Sequence, residues 1–378
     1  MDLGLSESQQ MLKNSAREFL QKECPYTYVR DMEISDAGYT PELWKQVAAM
    51  GWTGLAFPEE YGGSGGSFLD LCVLLEEAGR ALLPGPLFSD VVLGGLTLLE
   101  AGSPEQKRAI LPKVVSGETI LTLAVTEPSG RWDAEGVNDL RAAKSSSGHT
   151  LRGTKLFVQN ANVSDTLLVA ARTRTGQKPE QGVSLFLVPA HARGVTQTLL
   201  NTIASDKQSE VTFIGVEVPE DAVLGKLNQG WPVVHRAIQR AAAAKCVEMI
   251  GGAQQVLDMT VDYAKQRVQF GRPIGTFQAI QHHCANMAVE VEGAKWVAYQ
   301  AAWAVSDGQD ASREVATAKA WVSEAYRKVC GLAHQSHGAI GFTKEHNLQL
   351  YTRRAKAGEV LYGDPQFHKE QIAAAIGI

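Results

Sequence analysis

The hydrophobic period of this chain changes twice, and those two changes limit the possible folds more than any other feature. Up to about residue 115 the apolar residues recur at helical spacing. Ser6 stands where a helix cap belongs, and Met11, Leu12, Ala16, Phe19 and Leu20 follow on one face. "TPELWKQVAAMG" repeats the pattern, with Pro41 in its first turn and Gly51 as its stop. After the Gly-rich "PEEYGGSGG" come three further helical stretches, "SFLDLCVLLEEAGRALL", "SDVVLGGLTLLEAG" and "SPEQKRAILPKVVSG". From about Glu118 the period falls to two. "TILTLAVTE", "HTLRGTKLFVQN", "DTLLVAAR", "VSLFLVP" and "EVTFIGVEVP" are short runs of Val, Thr, Leu and Phe separated by turn residues, which predicts a β domain. From about Gly230 the helical period returns in three long, alanine-rich segments, which predict an antiparallel bundle. The expected chain is therefore mainly α with a central β domain: residues 1–117 helical, 118–228 β, and 229–378 a helical bundle.

Composition narrows the function. The 378 residues are enough for two or three packed units, and 44% hydrophobic with 20% charged residues describes an ordinary globular protein. A net charge of -5, with both signs mixed along the chain, leaves no footprint for nucleic acid or an anionic membrane. No run reaches about 18 consecutive apolar residues, so no membrane span is expected. The N-terminus lacks the apolar run of a signal peptide. The five cysteines (Cys24, Cys72, Cys246, Cys284 and Cys330) are odd in number and lack a CxxC pair, which indicates neither a disulfide framework nor a metal site. A cytoplasmic protein acting on a small molecule fits these bounds.

Five motifs stand in order along the chain: "FPEEYGG", "LAVTEPSG", "GTKLFVQNA", "RVQFGRPIGTFQAIQH" and "HQSHGAIGF". Together they resemble the acyl-CoA dehydrogenase family over essentially the whole sequence. The resemblance implies an N-terminal helical domain, a middle β-barrel-like domain and a C-terminal four-helix bundle, with FAD as cofactor and an acyl-CoA thioester as substrate. It also implies a homotetramer and an electron-transferring flavoprotein as electron acceptor.

Each motif has an ordinary reading beside the implied one. Val125, Thr126 and Gly130 form a turn after a strand, and in the family this turn bonds the polar edge of the flavin ring. Phe157, Val158 and Gln159 match the residues that the family lays against the flavin, although an aromatic residue in a strand is more often core. Arg267 would pair with the cofactor's pyrophosphate or simply place a cation in a helix's last turn. By the same resemblance Phe270, Phe277 and Gln278 lie along the adenosine half, and Gln335, Gly338 and Ala339 belong to a turn that reaches a neighbouring subunit's flavin. Ala339 stands where the family usually has a second glycine.

The resemblance fails at one position. Family chemistry needs a carboxylate to take a proton from the thioester while hydride moves to the flavin. In most members this base is the Glu of a Tyr-Glu-Gly-Thr turn. Counting from Arg353 in "RRAK", that position holds Tyr362, followed by Gly363 and Asp364. A phenol with an ordinary pKa of about 10 does not replace it. The alternative base position of a few relatives is Ala241 here, and the usual CoA-binding Arg position is Ala242, with Arg236 and Arg240 nearby as candidate substrate contacts.

Two carboxylates remain. Asp364 lies beside the vacancy, in a place that faces flavin in relatives. Asp90 follows Ser89 in "GPLFSDVVLGG", where the pair reads either as a helix cap with a first-turn acid or as a base on the helix that lines the family's acyl pocket. A second resemblance favours Asp90. A branch of the family acting on cyclohex-1-ene-1-carboxyl-CoA similarly lacks the usual Glu and takes the proton from ring C3 with an Asp of this helix. The expected function is thus dehydrogenation of an alicyclic carboxyl-CoA with Asp90 as base, the thioester oxygen being held by a flavin hydroxyl and the Tyr362 backbone amide. The alternatives are a dehydrogenase of another bulky or branched acyl-CoA using Asp364, and a flavin-binding subunit without activity.

Overall fold

A computed structural model describes residues 4–378; the first three residues of the expected N-terminal helical domain lie outside the described residues. The chain begins with α1 (Glu7–Glu23), α2 (Tyr26–Ile34), α3 (Pro41–Ala49) and α4 (Phe68–Ala81). A π-helical segment (Phe88–Gly95) runs directly into α5 (Leu96–Ala101), and α6 (Pro104–Val115) follows. The strands are β1 (Leu121–Ala124), β2 (Arg141–Lys144), β3 (Gly148–Gln159), β4 (Thr166–Arg172), β5 (Val183–Pro189), β6 (Val195–Leu199), β7 (Gln208–Pro219) and β8 (Val223–Leu224). Then come α7 (Trp231–Gln266), a small antiparallel ribbon of β9 (Val268–Gln269) and β10 (Arg272–Pro273), and α8 (Gln278–Ser306), α9 (Ser312–His337), α10 (Leu348–Val360) and α11 (Pro365–Ala375).

The helix ends follow local chemistry. Ser6 and Ser103 each accept a hydrogen bond from the backbone three residues on and are answered by Gln9 and Gln106, forming two capping boxes. Thr40 caps α3 with Pro41 in its first turn, as the sequence predicts.

The chain packs as two compact units. The first comprises the segment up to Arg30, Phe68–Leu83 and Ala242–Ile378. In it α4 and α7 touch backbone to backbone. A Cβ on Gly79 would lie 1.9 Å from the Glu248 carbonyl oxygen, and one on Gly251 would lie 1.8 Å from that of Glu76. The buried acids Glu76 and Glu77 beside this contact are answered by Lys13 and Arg17 of α1, each at 2.7 Å, so neither charge is left alone. Cys24, Cys72, Cys246 and Cys330 are buried in this unit, while Cys284 is half-buried; all five are free thiols.

The second unit, Asp31–Ser67 with Pro84–Ala241, holds the mixed eight-stranded sheet in the order β6-β7-β3-β2-β4-β5-β8, with β1 parallel to β4. Its core is built from Leu140, Leu151, Val169, Phe186, Val211, Phe213 and Val216. β3 and β7 carry the longest ladder, which is broken by an irregularity between Lys155 and Val158.

Candidate functional site

In the second unit the turn after β1 is pinned from two directions. Leu156 N–H donates to the Thr126 carbonyl at 2.8 Å, which joins the turn to β3. One residue further, the buried Glu127 accepts from the backbone of Asn138 (2.8 Å), Asp139 (2.6 Å) and Leu140 (3.2 Å). Lys155, wholly buried, donates to Glu127 at 2.7 Å and to the Val125 carbonyl at 2.8 Å. Burial pushes Lys155 down to about 8 against the attraction of Glu127, so it remains charged at neutral pH. Burial pushes Glu127 up, but Lys155 and the three N–H donors outweigh it and hold the acid below its ordinary range. Lys155 and Glu127 were not singled out from the sequence. The available signal was a lysine at an inward-facing register of β3, which needs an acid.

Phe157 lies two residues beyond Lys155, at the irregularity in β3. Its φ of 55° is in the left-handed region and its side chain is 49% exposed, so it is not the core residue that a strand aromatic usually is. Val158 points inward and is buried, and Gln159 accepts from the Thr122 hydroxyl at 2.7 Å through its carbonyl. Gly130, with φ 68°, has open space where a side chain would go. A turn held rigid by Lys155 and Glu127, with open space at Gly130 and an exposed aromatic ring beside it, offers a fixed polar edge and an apolar wall, which fit the isoalloxazine ring of FAD.

Asp90 belongs to the same unit, and its surroundings correct the capping interpretation. The segment starting at Phe88 is π-helical, flanked by Leu87 with no side-chain cap. The Ser89 hydroxyl instead lies within hydrogen-bond reach of the Pro86 carbonyl (3.0 Å) and Asn160 Oδ1 (3.1 Å). Asp90 reaches sideways: Oδ1 accepts from Leu121 N–H at 2.8 Å, tying the π-helical segment to the first residue of β1. Gly94 allows this approach, since a Cβ there would lie 2.3 Å from Leu121 Cβ, while Gly95 makes room for Phe57, whose Cζ a Cβ would meet at 2.5 Å. Asp90 is fully buried, and its Oδ2 has no hydrogen-bond partner among the described residues. Burial raises its pKa well above the usual carboxylate range, with the Leu121 N–H opposing and Asp165 adding to the rise. A π-turn carrying a buried carboxyl with a shifted pKa is a frequent mark of a working site. Arg236 and Arg240, at the start of α7, both pair with Glu100, and Arg240 also meets the Thr97 hydroxyl at 3.3 Å.

The first unit holds the other sequence-selected residues. Arg267 is exposed and follows the last residue of α7 rather than lying within the helix. Phe270, 91% exposed with φ 53°, meets Phe277 edge to face, and Gln278 is also exposed. Gln335, Gly338 and Ala339 are exposed where α9 gives way to a 3-10 turn. Tyr362 is buried with φ 59°, and Gly363 follows at φ 100°. Asp364 is exposed and caps α11, its Oδ1 accepting from Phe367 N–H at 2.8 Å.

The chain matches the acyl-CoA dehydrogenase N-terminal domain over residues 6–118, the middle domain over 122–216 and the C-terminal domain over 228–377. It is 30% identical to the "Probable acyl-CoA dehydrogenase YngJ" of Bacillus subtilis, with 99% of each chain covered. It is also 30% identical to the "Caffeyl-CoA reductase-Etf complex subunit CarC" of Acetobacterium woodii, with 98% of each covered. The solved butyryl-CoA dehydrogenase of Megasphaera elsdenii superposes with a TM-score of 0.92 at 27% identity, covering all of both chains. With this fold and an FAD-compatible turn and aromatic wall, the chain belongs to the acyl-CoA dehydrogenase family, FAD-dependent oxidoreductases acting on CH–CH groups.

Proposed function

We propose that the protein dehydrogenates an alicyclic carboxyl-CoA, with cyclohex-1-ene-1-carboxyl-CoA as the substrate class and Asp90 as the base. The observation that carries this is the unpartnered Oδ2 of a fully buried Asp90, in a chain whose usual base position holds Tyr362. In a 1-ene thioester C2 is already unsaturated, so the acidic hydrogen lies at C3, activated through the double bond. Asp90 takes that proton, and the electron pair left at C3 forms C2=C3. The former C1=C2 pair moves to C1=C6 as hydride leaves C6, giving a conjugated diene. Bound FAD supplies the hydride acceptor. The Tyr362 N–H donates to the thioester oxygen as negative charge builds there. A raised pKa suits Asp90 to this work, because a base is most effective when its affinity for the proton is matched to the working pH.

Asp364 is the weaker alternative, because its carboxylate is exposed and already engaged as a helix cap. A homotetramer belongs to the same proposal and rests on the family resemblance. The likeness to an Etf-complex subunit supports an electron-transferring flavoprotein as acceptor.

The decisive variant is Asp90→Asn. Its Oδ1 keeps the bond from Leu121 N–H, so the protein should stay folded and yellow while turnover of the cyclic enoyl thioester falls by roughly 10²- to 10⁴-fold. Full activity would sink the assignment and leave Asp90 as a structural tie only. Tyr362→Glu should in addition create oxidation of saturated thioesters at the alpha carbon.

A further inference from the structure

We propose that Lys319 and His368 are positioning residues that clamp the Leu361-Tyr362-Gly363 turn, so that the Tyr362 N–H points where the thioester oxygen needs a donor. This rests on the functional proposal above and extends it to two residues that do not touch the reaction.

The turn is held in a conformation it would not choose alone. An L-residue in the left-handed region is strained because its Cβ crowds the backbone, and Tyr362 has φ 59°. Relaxation would rotate the peptide planes on either side and carry the N–H away. Both sides are anchored. On the near side Leu361 N–H donates to the Ala357 carbonyl at 3.2 Å, closing α10. On the far side His368 Nε2 bonds the Tyr362 carbonyl at 3.0 Å, and Lys319 Nζ donates to the Gly363 carbonyl at 2.9 Å. Gly363 has no room for a side chain: a Cβ would lie 2.5 Å from Phe367 Cδ1 and 2.7 Å from His368 Nε2.

Lys319 is the unusual member. It is wholly buried on α9, and its three donors meet neutral oxygens: Gly363 O, Glu359 O at 3.0 Å and Ser323 Oγ at 3.3 Å. A buried cation among neutral dipoles is expensive, and an apolar side chain would fill the same space without that cost. What the ammonium adds is a fixed grip on the last carbonyls of α10 and of the turn, where the helix dipole favours a cation. Glu359 on α10 and Asp364 at the turn's exit help to hold the charge, with Cys246 and Lys245 of α7 and His368 of α11 as its other titratable neighbours. His368 is kept neutral by burial and by Lys319, and because a carbonyl only accepts, its Nε2 carries the hydrogen and donates to the Tyr362 oxygen.

The test uses the FAD-loaded protein and cyclohexanecarboxyl-CoA labelled with carbon-13 at the thioester carbonyl, a ligand without the activating double bond. Isotope-edited infrared spectroscopy reads the carbonyl stretch, which falls when a well-aimed donor polarises the oxygen. Wild type should show a lowered stretch. Lys319→Met and His368→Phe should return it toward the free-ligand value, with kcat on the cyclic enoyl thioester down roughly 10- to 100-fold, less than deleting a donor outright, and KM little changed. His368→Gln, whose amide can still donate to the Tyr362 carbonyl, should keep the wild-type stretch. Asp90→Asn should lower turnover by roughly 10²- to 10⁴-fold yet leave the stretch lowered, which separates the clamp from the base.

Should Lys319→Met fail to fold, the two His368 variants decide. A wild-type stretch and kcat in His368→Phe, or equal behaviour of the Phe and Gln variants, overturns the clamp. A wild-type protein whose bound thioester is unshifted defeats the Tyr362 donor itself, and the clamp with it.

Discussion

The buried pair under the flavin turn makes the sharpest energetic prediction. Lys155→Met keeps the length of the side chain but removes the Nζ that serves both Glu127 and the Val125 carbonyl. Breaking a buried ion pair from one side typically costs about 3–5 kcal/mol, and a stranded carbonyl adds about 1 kcal/mol or more. Against that, Glu127 keeps three backbone N–H donors, which places the expected loss near the lower end, about 3 kcal/mol. Urea denaturation of the holoprotein at fixed excess FAD, followed by far-UV circular dichroism and flavin fluorescence, reads the difference.

The pH dependence sharpens the test. In wild type the folded-state pKa of Glu127 is depressed, so its contribution is present above the unfolded value of about 4.5 and is lost as pH falls through the folded value. Without Lys155, desolvation dominates and the acid is favoured protonated, which stabilises the variant toward low pH. The gap between the two proteins should therefore narrow as pH drops from 7 toward 4. Glu127→Gln combined with Lys155→Met removes the stranded charge and should recover about half of the loss. A single variant that loses under about 1 kcal/mol, or a gap that widens in acid, refutes the reasoning.

Two further outcomes follow from the same physical rules. Asp364→Ala removes the cap of α11 and should cost about 1 kcal/mol in a denaturation experiment, with turnover falling far less than in Asp90→Asn; a loss as large as in that variant would revive Asp364 as the base. Gly251→Ala forces a methyl group against the Glu76 carbonyl at the contact of α4 and α7 and should destabilise by about 1–3 kcal/mol. A neutral result in thermal melts would show that the two helices part without cost.

The long helices were legible because an apolar stripe repeated over 36, 29 and 26 residues leaves little alternative. The short α2 was not, since it buries only Val29 and so offers no stripe. β2 and β6 escaped for a similar reason: one buries a single residue, Ala142, and the other none. The π-helical character of Phe88–Gly95 is not legible in the sequence, because local sequence carries no record of the bond between Asp90 and Leu121, which are 31 residues apart. The same distance problem hid Glu127 and Lys155, although an inward-facing lysine in a strand was there to be questioned. The clamp on Tyr362 was beyond sequence reasoning altogether, because a positive φ on a bulky residue is set by the partners that hold it.

The buried thiols have a consequence for durability in air. Reduced flavins hand electrons to dioxygen, so an FAD oxidoreductase makes hydrogen peroxide next to its own side chains whenever the proper acceptor is scarce. Peroxide attacks thiolates rather than thiols. Burial pushes Cys24, Cys246 and Cys330 up to about 12 and raises Cys72 as well. At pH 7 a thiol of pKa about 12 is ionised on the order of once in 10⁵ molecules. The fold thus stores four of its five thiols in a form that peroxide scarcely touches.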